Sequence, residues 1–295
     1  MTSLTSSAVL NTERCAVCAG ALETERILAR LDRCRACGFI SYQGADPEAI
    51  AALYDEGYFT GGEYPDYLGQ QDSLRRSMRM HLRQIAHYMP LAGSLFEVGC
   101  AYGLFLDEAR RHFDRVAGVD ICAVPLEYAR ATLGLDARED DFLAMNFPGE
   151  RFDAICVWDT IEHIPSPDAL LAKAASLLSS NGMLFLTTGD IGALNARVRG
   201  ASWRQIHPPS HLNYFSRATI SRLCERVGLQ VVGIETAAYF HTIFNLLASI
   251  RLRGGASGGL AGTLLKLAGE RRARSVGVWL NLGDIMFVAA RKRAD

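Results

Sequence analysis

Four cysteines near the N-terminus carry a spacing suited to metal chemistry. Cys15, Cys18, Cys34 and Cys37 read C-x2-C-x15-C-x2-C, and two such turns can each offer two thiolates to one tetrahedral ion. Four thiolates leave no position for water, so Zn2+ held there would be structural, organising a segment too short to build its own core. Gly20 and Gly38 suit tight turns beside the ligands. A disulfide pair is the competing reading, and a reducing compartment would disfavour it. The other four cysteines, Cys100, Cys122, Cys156 and Cys224, stand singly among apolar residues and read as small buried hydrophobes.

A second constellation combines glycines and acids. Glu97-Val98-Gly99-Cys100-Ala101-Tyr102-Gly103 has the form acid-x-Gly-x-x-x-Gly, directly after an apolar run. Such a loop lets the backbone of Gly99, Cys100, Ala101 and Gly103 approach a bound nucleotide-like cofactor. A dinucleotide fingerprint would need a glycine where Ala101 stands. The Glu97 carboxylate suits the amino group and sulfonium of S-adenosylmethionine and would repel a pyrophosphate. Asp120, with Ile121 beside it, closes the next apolar run, where a carboxylate can accept both ribose hydroxyls. Asp141-Phe142 follows the third run: an acid for the adenine amino group, an aromatic for its face. Trp158-Asp159 ends the fourth. Acids at successive strand ends, in this order, point to S-adenosylmethionine far more sharply than the loop does alone.

These residues need a parallel sheet to position them. Short apolar runs alternate with helical patterns from Leu95 onward, as in βαβ units. Strands are expected at Leu95–Val98, Val116–Asp120, Ala154–Trp158, Met183–Thr188, Leu229–Ile234 and Ile285–Ala290, with a weaker one before Asp140. A helix after Pro167 should reach about Ser179, with Asn181-Gly182 turning the chain into the next strand. Ser216 should cap a helix ending at Gly228. Upstream, Asp46-Pro47-Glu48 reads as a helix start. Tyr58, Phe59, Tyr64 and Tyr67 crowd a glycine-broken stretch, as a pocket wall or as anchors. Leu74, Met78, Leu82, Ile85 and Met89 recur at helical spacing up to Pro90. His81 and His87 lie off that stripe and read as solvated. Residues 239–282 form an insertion mixing apolar and basic residues. A helical hairpin over the site, a dimer contact, or peripheral attachment to an anionic membrane are its readings.

The segment from Leu95 to Leu186 resembles the class I S-adenosylmethionine-dependent methyltransferases, through LFEVGCAYGLFL, VAGVDI, EDDFL, FDAICVWDTIEHIPSPDALL and LSSNGMLFLTT. The wider pattern is similar to a bacterial subgroup with an N-terminal zinc ribbon, a tyrosine-rich linker (LYDEGYFTGGEYPDY) and a segment built on Trp203 and Pro208 to Ser216. The resemblance implies a doubly wound, Rossmann-like α/β fold with a seven-stranded sheet, its last strand antiparallel. It implies the cofactor across the strand C-termini, and sugar, natural-product or polysaccharide-pathway acceptors. Ala101 replaces a glycine common in relatives. The organisation expected is a ribbon over 1–42, a linker and helical cap over 43–92, and the methyltransferase domain over 93–295, with a lid at 191–216.

Methyl transfer from a sulfonium is an in-line displacement, so alignment and exclusion of water do most of the work. A hydroxyl or acidic-carbon acceptor also needs a base, for which histidine is suited. The resemblance implies that His163 faces the methyl group or the cofactor, and Glu162 could orient it. His211 and Tyr214, in the proline-stiffened lid, could reach the acceptor; His207 is a weaker candidate, and Trp203 could shield the site. The fourth strand lacks the Asn/Asp-Pro-Pro-aromatic motif of nucleobase-amine methyltransferases. The acceptor expected is therefore the hydroxyl or carbon of a small metabolite.

Two alternatives belong to other classes. The ribbon could bind RNA for an RNA methyltransferase, but Arg14, Arg26, Arg30, Arg33 and Arg35 nearly balance Glu13, Glu23, Glu25 and Asp32, which offers little counterion release. A non-catalytic cofactor-binding interaction protein would not need the acids and histidines together. Net charge is −1 with 21% charged residues, so no broad phosphate-binding face is expected and nucleic acid is not an expected partner. Met1 to Asn11 lacks the regions of a signal peptide. The apolar stretch Ala237 to Ile250 is too short to span a bilayer. A cytoplasmic monomer or homodimer is the expectation.

Overall fold

The structure, a computed structural model, describes residues 13–28, 31–42, 44, 67–252, 259–260, 263–266 and 269–293. The expected helix after Asp46 and the aromatics Tyr58, Phe59 and Tyr64 lie outside the described residues. The cysteine segment folds as three short antiparallel strands, β1 (Thr24–Leu28), β2 (Leu31–Cys34) and β3 (Ile40–Tyr42). Helix α1 (Gln71–Ile85) follows. It buries two faces. Leu82 and Ile85 enter the core as the apolar spacing requires, while Ser73, Ser77, His81 and Gln84 are buried as a polar stripe.

From β4 (Ser94–Val98) the chain builds the parallel sheet. Helix α2 (Leu104–Ala109), β5 (Arg115–Asp120), α3 (Ala123–Glu127), β6 (Asp136–Glu139), β7 (Phe152–Trp158), α4 (Pro167–Leu177) and β8 (Leu178–Gly189) follow. Pro167 at the first turn of α4 has no N–H to strand, which is why it opens the helix. The helix stops at Leu177, short of Ser179, and Asn181-Gly182 already lies within β8 rather than in a turn. The lid carries α5 (Leu194–Arg199) and a two-residue strand, β9 (Asn213–Tyr214). Helix α6 (Arg217–Arg226) opens on a capping box in which Ser216 and Thr219 bond reciprocally. Next come β10 (Leu229–Thr236), β11 (Tyr239–Thr242), α7 (Ile243–Leu252), α8 (Glu270–Ser275), β12 (Gly277–Leu280) and β13 (Ile285–Lys292).

The sheet order is β10-β13-β8-β7-β4-β5-β6, with β13 antiparallel to both neighbours. The chain leaves β4 first toward β5 and β6, then returns to its other side for β7 and β8. Ligands in open α/β sheets bind beyond the strand C-termini at that reversal. The loops after β4, β5 and β7 meet there. The insertion is a β11–β12 ribbon carrying α7 and α8, not a plain helical hairpin.

The cysteine segment is no appendage. Strand β3 pairs with β9, so one four-stranded sheet runs from the ribbon into the lid. Cys15, Val17, Cys34 and Phe39 share the main core with Phe215, Ile220 and Leu223. The Arg226 guanidinium donates to the carbonyls of Ala16 and Val17. The isolated cysteines Cys100, Cys122, Cys156 and Cys224 are all buried. Among the described residues no helix is long and apolar enough to cross a membrane.

Candidate active site

The four N-terminal sulfurs lie within 4.8 Å of one another, with Cys15–Cys37 at 3.6 Å and Cys18–Cys34 at 3.9 Å. A tetrahedral site with Zn–S near 2.3 Å needs sulfurs about 3.8 Å apart, whereas a disulfide needs about 2 Å. The spacing therefore has the form of a metal cage. Burial raises the thiols of Cys15, to about 11, and of Cys37. A cation among them would reverse that preference.

The cofactor loop turns on positive-φ positions. Gly99 (φ 77°) faces Thr160, whose Oγ1 would lie 2.4 Å from an added Cβ; Gly103 (φ 70°) faces Leu135 at 2.6 Å. Both need glycine for conformation and for space. Ala101 also has positive φ, 44°. Its N–H donates to Asp120 Oδ2 at 2.8 Å, and the Cys122 N–H donates to Oδ1 at 2.9 Å. Asp120 thus fixes its own loop and the neighbouring one. Ile121 beside it is 42% exposed, an apolar surface open at the cleft. Tyr67 stacks on Tyr102 of the loop at 5.1 Å, so this residue of the linker is an anchor.

Glu97 is the test of what the cleft accepts. Its side chain is 3% exposed, and Oε2 has no hydrogen-bond partner. Burial, reinforced by the Asp120 charge, pushes its carboxyl well above the ordinary value. A buried orphan acid at the end of β4 calls for a cation with N–H donors, as an amino-acid ammonium would supply. The cleft therefore fits S-adenosylmethionine on an observation independent of its motifs.

The third strand end departs from expectation. Asp141 Oδ1 accepts the Leu143 N–H at 2.9 Å, as a local cap. The Phe142 ring is buried in the core against Phe96 and Phe147, so it is placed for packing and not for stacking on an adenine. Trp158 is also buried; its ring stacks on His81 and Phe287, and its Nε1 has no partner.

Beyond β7 lies a polar group that the linear sequence does not display. Asp159 takes φ 44° and accepts the Tyr239 hydroxyl at 2.7 Å. His81 stands edge-on to Tyr239 at 5.7 Å. It is buried, not solvated, because the polar stripe of α1 faces the insertion: Ser77 Oγ accepts the Phe240 N–H at 2.9 Å. Burial lowers the pKa of His81 and keeps it neutral. Burial, with Asp159 nearby, raises Glu162 to about 8 and leaves its Oε2 without a partner.

His163 lies on the next turn, its Nδ1 2.8 Å from the Ser210 carbonyl. A carbonyl only accepts, so Nδ1 carries the hydrogen and Nε2 the lone pair. Burial lowers its pKa. His211 packs edge-on against it at 4.7 Å and falls to about 3, through burial and the neighbouring His163 and His207. Glu162, His163 and His211 bring potential ligand atoms within 4.8 Å of one another, a donor set that could also hold a divalent cation. Tyr214 does not join them. Its hydroxyl donates to the His211 carbonyl at 3.0 Å, and its ring is buried with Leu31, Tyr42 and Trp203. That is a lid-packing position.

Residues 194–204 are tied to the start of β13 at one acid. Asp284, buried, accepts from Asn195 Nδ2 (2.7 Å), Trp203 Nε1 (2.8 Å) and Arg204 (3.0 Å). Burial opposes ionisation, but these donors hold its carboxyl below the ordinary value. Sequence reasoning missed His81, Tyr239, Asn213 and Asp284. The i, i+4 run Ser73-Ser77-His81 was the one available sign, a polar stripe on a helix already amphipathic.

A seven-stranded sheet with an antiparallel last strand, a glycine loop after its first strand and an orphan acid behind it define the class I S-adenosylmethionine-dependent methyltransferase fold. A family model described as "Methyltransferase domain" matches residues 71–234, and the chain belongs to that family. It is 28% identical to a ubiquinone biosynthesis O-methyltransferase of Albidiferax ferrireducens over 63% of this chain and 81% of that protein. A counterpart from Coxiella burnetii is 25% identical, over 70% and 91%. Among solved structures, magnesium protoporphyrin IX methyltransferase of Synechocystis PCC 6803 with bound SAH shares the fold (TM-score 0.54, 13% identity, 84% of this chain, 100% of that one). The YcgJ protein of Bacillus subtilis does likewise (0.52, 14%, 75% and 99%). The chain is a S-adenosylmethionine-dependent methyltransferase.

Proposed function

We propose that this enzyme methylates a hydroxyl group of a small metabolite, with His163 as proton acceptor and the four-cysteine site holding structural Zn2+. S-adenosylmethionine supplies an electrophilic methyl on sulfur; everything else falls to the chain. In this reading Glu97 meets the amino-acid ammonium and the Gly99–Gly103 backbone lies along the cofactor. Asp120 takes the ribose hydroxyls, and Ile121 and the Asp141 region border the adenine. The single observation that carries the base assignment is the Nδ1–H bond from His163 to the Ser210 carbonyl, which leaves the lone pair on Nε2. A neutral imidazole in a water-poor turn takes a hydroxyl proton as the nucleophile attacks. His211 keeps the surroundings uncharged. Asp159, held by the Tyr239 hydroxyl with His81 packed against that ring, is the acid available to orient the acceptor.

Support for oxygen as the nucleophile comes from the curated relatives, which are named O-methyltransferases. Support for a small acceptor comes from the lid and the β11–β12 ribbon, which both tie into the β7 turn region. The test is a panel of phenols, catechols, hydroxy acids and sugar nucleotides incubated with methyl-labelled S-adenosylmethionine. A hydroxyl acceptor should be methylated, and His163→Ala should lower kcat by about 10²- to 10⁴-fold while calorimetric affinity for S-adenosylhomocysteine changes little. Undiminished kcat in His163→Ala removes the base assignment; methylation confined to nitrogen or to RNA removes the acceptor class.

A further inference from the structure

The cysteine ribbon has no place in the chemistry so far, yet it touches the catalytic turn through one strand. Ile40 and Ser41 of β3 pair with Tyr214 and Asn213 of β9, and the Tyr42 N–H donates to the Leu212 carbonyl at 2.8 Å. The other side of the same strand is laced to the turn that carries His163. The Glu162 carbonyl accepts the N–H groups of both Leu212 (2.8 Å) and Asn213 (3.0 Å). The buried Asn213 amide donates to the carbonyls of Ile161 (3.2 Å) and Ile164 (2.7 Å), spanning the turn from end to end. His163 itself bonds to Ser210, three residues before Asn213.

We infer that the ribbon is part of the catalytic apparatus: through β9, with Asn213 as the positioning residue, it sets the location and tautomer of His163. The physical reason is economy of order. The turn from Ile161 to Ile164 has no repeating ladder of hydrogen bonds, and Asn213 supplies donors to the carbonyls at both its ends, one buried and one half-buried. Strand β9 is only two residues long, and so short a strand holds no register unless a neighbour imposes it. One such neighbour is β3, which pairs with β2, the strand that ends on Cys34 of the cysteine cage. Metal in the cage would thus reach the base by a continuous ladder, with the cofactor loops after β4 and β5 outside it. The inference rests on His163 being the base only for its catalytic consequence; the positional coupling stands apart from that role.

The experiment follows the His163 Nδ1–H proton by NMR of histidine-labelled, Zn2+-loaded full-length protein saturated with S-adenosylhomocysteine. A proton bonded to a buried carbonyl should give a slowly exchanging downfield signal, assigned by its disappearance in His163→Gln. In Asn213→Ala the signal should vanish or exchange at least about tenfold faster, with S-adenosylhomocysteine affinity kept within about threefold. Chelating the metal from the wild-type protein should produce the same change, reversed by adding Zn2+ back. An unaltered signal in either case overturns the coupling. Loss of cofactor affinity in step with the signal also overturns it, since that marks general unfolding. If Asn213→Ala does not fold, the chelation experiment decides by the same two criteria.

Discussion

Glu97 shows how one side chain can state what a cleft binds. Its oxygen has no partner, and burial with the Asp120 charge raises its carboxyl well above the ordinary value, favouring the protonated form in the free enzyme. Arrival of an ammonium lowers that pKa, so S-adenosylhomocysteine binding should release up to about one proton. Calorimetry in buffers of differing ionisation enthalpy would measure it. Glu97→Gln should abolish the release and weaken binding by about 10- to 100-fold, the range of a charged hydrogen bond worth about 1.5–3 kcal/mol. Release that persists in Glu97→Gln would move the effect to another acid. Ala101 offers a contrast with its glycine neighbours. An L-residue at φ 44° costs about 1–2 kcal/mol, offset in part by the entropy that glycine adds to the unfolded chain. Ala101→Gly should therefore be neutral or slightly stabilising, whereas Gly99→Ala should clash with Thr160 and lose cofactor binding. Paired denaturation and binding curves check both.

At the level of elements, two latches organise the closed site. Asp284 ties Asn195, Trp203 and Arg204 to the start of β13, and Tyr239 ties the insertion to Asp159. Asp284→Ala strands the buried Trp203 N–H and releases the half-exposed Arg204 and Asn195, and should cost about 1–3 kcal/mol. Because its native pKa is depressed, the stability Asp284 contributes is present at neutral pH and lost as pH falls through the acid range. Urea unfolding at two pH values separates this from a general packing defect. Tyr239→Phe keeps the ring and removes only the hydroxyl donor. It should leave S-adenosylhomocysteine affinity intact while raising the KM for the acceptor about tenfold, as one lost hydrogen bond to a carboxylate implies. A cofactor-affinity loss instead would place Asp159 on the cofactor's side of the cleft. Strand β12 supports the Tyr239 latch from behind: it pairs with β11, and Trp279 packs edge-on against Phe240 at 5.5 Å.

For the whole molecule, buried titratable groups set the pH window. His81, His163 and His211 all have lowered pKa values through burial. The unfolded chain binds their protons first, so stability is full above about pH 6.5 and falls on acidification. Glu162, raised to about 8, acts in the other direction: its contribution is complete below about pH 4.5 and is lost as pH rises through 8. Thermal unfolding followed from pH 4 to 9 should show both flanks, with the acid flank reduced in His81→Phe. An unchanged acid flank in that variant would assign it elsewhere.

Fold class was legible because it depends on local patterns: apolar runs of strand length, helical spacing and glycines at turns each act within a few residues. The candidate cofactor acids could be picked out for the same reason, since each stands at or just past a strand end. Where the pattern carried two meanings, only packing chose between them. Phe142 and Tyr214 are aromatic and near the site in sequence, but their rings fill the core and the lid interface. His81 looked solvated because the face of α1 that it occupies is covered by β11, which lies far away in the sequence. By itself the sequence determined the fold class and the four-cysteine motif, because apolar periodicity and C-x2-C spacing are each written within a few residues. The tertiary structure decided that Tyr239 reaches Asp159, that Asp284 latches the lid, and that β3 of the cage meets β9. Those contacts join segments tens to hundreds of residues apart, and no local spacing records them.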